Sequence, residues 1–88
     1  MEKQFRINIL TPSKAVFTEE VISLIAPAEL GYLGVLANHA PFIANLVPGK
    51  LILRGPSEKL TVIHSRGKGI LQVFKNNVTV LLENVEYP

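Results

Sequence analysis

Residues 27–49 read PAELGYLGVLANHAPFIANLVPG and reveal more about the fold than any other stretch of the chain. Two glycines stand three residues apart, at Gly31 and Gly34, followed by NHAP at residues 38–41 and by PG at residues 48–49. Glycine, asparagine and proline shape backbone turns. The stretch contains no recognisable catalytic set. We therefore predict that it forms turns and an interaction surface rather than an active site.

On both sides of this stretch, apolar residues alternate with polar ones. Phe5, Ile7 and Ile9 alternate with polar neighbours, and residues 50–54 and 59–64 repeat the pattern. A period of two predicts half-buried strands. Turn residues recur every 8–12 residues or so, as in sandwiches and barrels built from short antiparallel strands. No window has convincing helical periodicity, so we predict an all-β fold.

Three local features refine this prediction. Residues 21–26 are apolar on both faces, which predicts one strand buried between layers. Asn76-Asn77 suits a two-residue hairpin turn, because asparagine tolerates positive φ. The glycine-flanked lysine of residues 67–69 fits a bulge or a hairpin corner better than a nucleotide site.

Length and composition indicate one small domain. The 88 residues leave no room for a second domain, and the core must be thin. The hydrophobic fraction of 48% and the mean hydropathy of +0.31 are high for such a chain. Either the core is efficient or some apolar surface is kept for a partner.

Charge and residue usage exclude several functional classes. Nine Lys and Arg residues face seven Glu residues, and the basic residues are dispersed, so no nucleic-acid-binding stripe is visible. Arg66 and Lys68 come nearest to one, and a solvated hairpin tip explains them better. Cysteine is absent, which excludes disulfides and thiolate chemistry. We recognise no signal peptide and no apolar stretch of the ~20 residues that span a bilayer.

Gly31–Gly34 and the two histidines could be taken for phosphate-binding, catalytic or metal-binding residues, but the sequence does not support these roles. The glycine stretch lacks the Gly-Lys-Ser/Thr of a phosphate loop and the spacing of a dinucleotide fingerprint. A triad would need a carboxylate to orient His39, but the chain has no Asp and its Glu residues are scattered. A structural zinc site normally uses four ligands, and only His39 and His64 are available. We predict a turn-building His39, a partly buried His64, and neither catalysis, metal nor cofactor.

Five segments stand in order along the chain: FRINILTP with Val16-Phe17, LGYLGVL at 30–36, HAPF at 39–42, VPG at 47–49, and GILQV with NVTVL at 69–81. Through these segments the chain resembles the N-terminal β-sandwich domain of the epsilon subunit of F-type ATP synthases. This resemblance implies one domain over residues 1–88, a flattened antiparallel β-sandwich of about ten short strands.

The resemblance also implies two contact sites. The loop formed by Glu29, Leu30, Gly31, Tyr32 and Leu33 would face the c-ring of the membrane sector, with Tyr32 and Leu33 exposed at its apex. The family commonly carries an acidic residue where Tyr32 stands, so the chemistry of that contact differs here. His39, Ala40, Pro41 and Phe42 would contact the gamma subunit, and His39 could serve as turn-builder and as contact residue at once.

As a function, the resemblance implies a non-catalytic central-stalk subunit of a proton-translocating F-type ATP synthase, peripheral at the cytoplasmic face of the bacterial inner membrane or its organellar equivalent. Epsilon subunits typically carry a C-terminal helical hairpin after the sandwich. The sequence reads Glu86-Tyr87-Pro88 directly after the last predicted strand, so that hairpin's regulatory and nucleotide-binding residues have no counterparts here. A free-standing β-sandwich that binds a protein or ligand is the alternative.

Overall fold

The computed structural model describes residues 3–86, and every regular element in this range is a strand. The ten strands are β1 Phe5–Leu10, β2 Ala15–Val21, β3 Ser23–Ala28, β4 Gly31–Leu36, β5 Phe42–Leu46, β6 Gly49–Arg54, β7 Leu60–Ser65, β8 Gly69–Phe74, β9 Asn77–Leu82 and β10 Val85–Glu86. The prediction of an all-β chain of about ten short strands is confirmed.

The strands form one sheet that curls over to make the two layers of a sandwich. Their order is β10-β7-β6-β3-β5-β8-β9-β1-β2, and β4 pairs with β3 outside this path. The curl occurs at β3, because its first half pairs with β6 while only Ala28 pairs with β5. Neighbouring strands are antiparallel with one exception, since β1 and β9 are parallel.

The predicted alternation of apolar and polar residues places one face of each strand in the core. Phe5, Ile7 and Ile9 of β1 are buried, as are Leu51 and Leu53 of β6. Both layers contribute to a single buried cluster, which excludes water from the interior. The period of two in the sequence therefore predicted the core correctly.

The single buried strand predicted for residues 21–26 is wrong. Val21 ends β2, a bend follows at Ile22, and β3 begins at Ser23. Ile22 is buried at the bend, and its N–H donates to the carbonyl of Arg54 at 2.7 Å. Ile25 is 42% exposed on the outer face of β3. The continuous apolar run thus reflects a buried corner followed by an outer-face isoleucine.

The predicted turn at Asn76-Asn77 is displaced by one residue. Lys75 and Asn76 form the turn, with φ of 49° and 60°, and Asn77 already begins β9. Two consecutive positive φ values are typical of the hairpin turn whose twist matches that of the flanking strands. The register pairs Phe74 with Asn77, which leaves Lys75 at the first turn position. The strand pairing thus outweighs the usual preference for asparagine or glycine at that position.

The connections cluster at two opposite ends of the sandwich. The "Leu30 end" consists of the connections at residues 11–14, 29–30, 47–48, 66–68 and 83–84. The "His39 end" consists of the bend at residue 22 and the connections at residues 37–41, 55–59 and 75–76. The antiparallel registers impose this division, because each strand runs from one end to the other.

Candidate functional site

A tight hairpin between β3 and β4 forms the tip of the Leu30 end. Ala28 pairs with Gly31, so Glu29 and Leu30 form the turn and Leu30 is fully exposed. Gly31 has a φ of 123°, a backbone conformation that L side chains rarely adopt. Glycine is therefore required at this position for conformational reasons, as the sequence indicated.

The predicted apex of this loop is wrong by two residues. Tyr32 and Leu33 lie in β4 rather than in a loop, and Leu30 occupies the apex. Leu33 is half-buried and packs against the core, whereas Tyr32 is 63% exposed on the outer face. Because Gly34 also lies in β4, the two glycines do not bracket a loop. Leu30 is thus the exposed apolar anchor of this end.

The hairpin tip is fastened to β5. The N–H of Glu29 donates to the carbonyl of Asn45 at 3.2 Å, and the side-chain amide of Asn45 donates to the Glu29 carboxylate at 3.3 Å. The N–H of Val47 donates to the carbonyl of Pro27 at 2.9 Å. These bonds cross the point where the sheet curls. The tip is therefore supported from both layers rather than free to swing.

A charged cluster lies beside Tyr32 on the outer face. Lys50 and His64 are cross-strand neighbours, and His64 is paired in turn with Glu86. Arg66 donates to the Glu86 carboxylate at 2.7 Å. This hydrogen bond and the Arg66 charge lower the pKa of Glu86 below its ordinary value. The prediction of a partly buried His64 is wrong, since its side chain is exposed.

The His39 end carries the second predicted site. His39 is half-buried: its Nδ1 lies 2.7 Å from the carbonyl oxygen of Ala40, and its backbone N–H donates to the carbonyl of Leu36 at 3.3 Å. The imidazole meets the Phe42 ring edge-on, with centroids 5.7 Å apart. Ala40, Pro41 and Phe42 are exposed. The turn-building role predicted for His39 is confirmed.

Two asparagines clasp this turn to the β8–β9 turn. The N–H of Asn38 donates to Oδ1 of Asn76 at 2.5 Å, and the amide of Asn76 donates to Oδ1 of Asn38 at 3.1 Å. Both residues have positive φ, 66° and 60°. The Asn76 carbonyl also accepts from the N–H of Arg6. Local sequence patterns do not reveal this clasp, because its partners lie far apart in the chain.

The potential metal-ligating side chains of the described residues are scattered rather than gathered into one site. Among residues 3–86, no group of three or more His, Cys, Asp or Glu side chains could hold a metal ion. His39 lies at one end of the sandwich and His64 lies near the other. Within the same described range, no helix is long and apolar enough to cross a membrane. What the surface does offer is exposed apolar anchors on supported turns.

Residues 4–88 match the family model described as "ATP synthase, Delta/Epsilon chain, beta-sandwich domain". The chain belongs to this family. Among its relatives are proteins named ATP synthase epsilon chain from Pelotomaculum thermopropionicum, 39% identical over 97% of this chain, and from Dichelobacter nodosus, 36% identical over 94%. The chain spans 62% and 57% of the lengths of these two relatives.

Solved structures share the delta/epsilon sandwich fold. A chain of the Euglena gracilis mitochondrial ATP synthase matches 96% of this chain with a TM-score of 0.89 and 20% identity, and 53% of that chain is covered. A chain of the Tetrahymena thermophila mitochondrial ATP synthase central stalk and c-ring matches 98% with a TM-score of 0.81 and 16% identity, and 68% of that chain is covered. The family membership confirms the predicted resemblance.

An open apolar cleft is a further feature of this delta/epsilon domain. It has a volume of about 680 Å³ and lies next to the Leu30 end, beside strands β1, β5, β8 and β9. Leu10, Ile70 and Leu81 line it, with Glu29 and Lys68 among the charged residues around them. Alternation alone could have marked Ile70 and Leu81 as outward-facing, but it could not show that the register places them side by side.

Proposed function

We propose that this chain is the central-stalk subunit of an F-type ATP synthase that binds both gamma and the c-ring and so helps to couple ring rotation to ATP synthesis. One observation carries the proposal: the two predicted contact sites lie at opposite ends of a single sandwich. A subunit that lies between two partners needs this arrangement. The names of the bacterial relatives support the same assignment.

The c-ring contact is assigned to the Leu30 end. Glu29 supplies charge, Leu30 supplies the exposed apolar anchor, and Gly31 allows the turn. Tyr32 adds an exposed aromatic ring behind the tip, while Leu33 anchors the hairpin in the core. Aromatic and aliphatic anchors on a supported backbone are typical of protein interfaces.

The gamma contact is assigned to the His39 end. Ala40 and Pro41 are exposed, and the His39 and Phe42 rings lie against each other beside them. The Asn38–Asn76 clasp orders the turn before any partner binds. A pre-ordered turn loses less conformational entropy on binding than a flexible one.

The mechanical requirement of this function is stiffness between the two ends. Continuous strand ladders join the Leu30 end to the His39 end, and the bonds from β5 support the hairpin tip. A load applied at one end is thus carried by paired backbone rather than by a hinge. The subunit would work at the cytoplasmic face of the bacterial membrane, attached through its partners, in an enzyme that translocates protons.

The test is a pull-down of this chain against purified gamma, with a His39→Ala/Phe42→Ala variant and a matched Val62→Ala control. Val62 is an exposed apolar residue in the middle of β7, away from both ends of the sandwich. Stoichiometric binding that is lost in the double variant and kept in the control supports both the function and the site. Binding that survives the double variant refutes the site while keeping the function.

Absence of any gamma binding would contradict the stalk assignment. The free-standing binding module would then be the better reading, and the apolar cleft lined by Leu10, Ile70 and Leu81 would be its candidate binding surface. A parallel pull-down with assembled c-ring, using Leu30→Ala against the same Val62→Ala control, tests the second contact separately.

A further inference from the structure

β4 is an edge strand whose free side is unprotected. It pairs only with β3, and its six residues, GYLGVL, include no charge and no proline. Proteins usually block such edges with charges, proline, bulges or very short strands. Two other edges of the described sheet follow that rule: β2 carries Glu19 and Glu20, and β10 has two residues. β5 is also open beside residues 42–44, but β3 borders it from Leu46 onward, whereas β4 is open along its whole length.

Pro27 shows which backbone groups of β4 point to the free side. Pro27 has no N–H, and its carbonyl accepts from Val47, on the side of β3 away from β4. Its antiparallel partner, Tyr32, must therefore direct its own N–H and C=O away from β3. By alternation, Gly34 and Leu36 do the same, and the Leu36 carbonyl already accepts from the N–H of His39 at 3.3 Å. The free edge thus offers both backbone groups of Tyr32 and Gly34, the N–H of Leu36, and the second lone pair of the Leu36 carbonyl.

The outer face of β4 is accessible at these same three positions. Tyr32 and Leu36 are 63% and 61% exposed on the outer face. A Cβ atom built on Gly34 would come no closer than 4.0 Å to any other group, the Leu24 carbonyl oxygen. Leu33 and Val35 face the core instead. The edge can therefore accept another strand without disturbing the packing beneath it.

We propose that the β4 edge pairs with β4 of a second copy of this chain, in antiparallel register about Gly34. This register is self-complementary. Gly34 faces Gly34 of the other copy, and each Tyr32 lies beside the other copy's Leu36, an aromatic–aliphatic pair of the kind that stabilises sheets. It also directs the Glu29 turn of one copy toward the His39 turn of the other, so no like charges meet.

The pairing is weak and belongs to the unassembled chain. An interface limited to one strand edge is small for a stable complex, so we expect dimers at about 0.1–1 mM protein. The inference does not rest on the proposed function, because it requires no second kind of protein. Tyr32 and Leu33 belong to the proposed c-ring contact, so self-pairing and ring binding would exclude each other.

The first experiment is sedimentation velocity from about 10 µM to 1 mM, combined with residue-resolved amide exchange. The amides of Tyr32, Gly34 and Leu36 should gain protection as concentration rises. Those of Leu33 and Val35, already directed at β3, serve as internal controls. A chain that stays monomeric at 1 mM overturns the proposal, as does a dimer whose new protection lies on another strand.

Substitutions at Gly34 provide matched variants, since the site has room for a side chain. Gly34→Lys places two positive charges directly opposite each other and should raise the dissociation constant about fivefold or more. Gly34→Thr, a strand-favouring neutral residue, should preserve the dimer. Mixing Gly34→Lys with Gly34→Glu should restore association as a heterodimer. Dimerisation that is unaffected by Gly34→Lys, or no heterodimer in the mixture, overturns the assigned register.

Discussion

Gly69→Ala should destabilise the domain because the space beside β8 is already filled. A Cβ atom at this position would lie 2.6 Å from the Leu81 carbonyl oxygen, 2.5 Å from Cδ2 of Leu82 and 3.6 Å from Cβ of Leu46. Leu46 and Leu82 pair with Gly69 from the strands on either side. One of the two close contacts is with backbone, so rotating a side chain cannot relieve both. The β8–β9 pair would have to separate.

The size of the effect follows from two opposing terms. Overpacking of this kind costs about 1–3 kcal/mol. Replacing glycine by alanine also restricts the unfolded chain and returns about 0.4–1 kcal/mol. The two ranges leave a loss of about 0–2.6 kcal/mol in the free energy of unfolding, and their midpoints give about 1.3 kcal/mol. A loss of that midpoint size lowers the Tm of a domain of this size by about 5–10 °C.

Gly34→Ala is the matched control, because the same change in β4 meets nothing closer than 4.0 Å. Only the unfolded-chain term applies there, so stability should stay equal or rise by up to about 1 kcal/mol. Urea and thermal unfolding, followed by circular dichroism at about 10 µM to avoid self-association, compare the two variants. If Gly69→Ala and Gly34→Ala change the free energy of unfolding by the same amount within about 0.5 kcal/mol, the close contacts at Gly69 are not the reason that glycine is needed there.

Asn76→Ala removes both bonds of the clasp to Asn38 and should cost about 1–2 kcal/mol in chemical denaturation, with faster amide exchange at Asn38 as the specific sign. Ile9→Ala should cost about 2–5 kcal/mol, because Ile9 is fully buried; a loss below 1 kcal/mol would contradict its place in the core. Arg66→Gln should return the pKa of Glu86 toward its ordinary 4.5 in a carboxyl NMR titration. The Arg66–Glu86 contribution to stability is present above that pKa and is lost as pH falls through the lowered value, so an unchanged pKa in the variant would refute the pairing.

Local patterns predicted the strands, the turn-rich character and the family. The alternation in β1 and β6 worked because each strand has one face on the core, so burial repeats every second residue. The corner at Ile22 escaped prediction, since a buried bend and a buried strand have the same apolar composition. The β8–β9 turn was placed one residue late because asparagine preference does not determine register.

The candidate sites were predicted less completely than the fold. Residue types located both contact regions, but the hairpin tip fell on Leu30, because Gly31 closes the turn rather than opening a longer loop. The Asn38–Asn76 clasp and the free edge of β4 depend on pairings between distant segments. Such pairings leave no periodic trace in a single sequence.

The parallel pairing of β1 with β9 has a consequence for how the chain reaches its native state. β1 is the first strand of the domain to leave the ribosome, and it pairs with β9, where Arg6 lies opposite Asn77. Its ladder is therefore complete only after β9 has emerged. Contacts of such high sequence separation slow folding, because a long loop must close before they form. Until β9 arrives, the β1–β2 hairpin exposes the inner side chains of Phe5, Ile7 and Ile9. The sandwich can therefore close only after β9 has emerged from the ribosome, and until then the exposed core side chains of the nascent domain are open to chaperones and to aggregation.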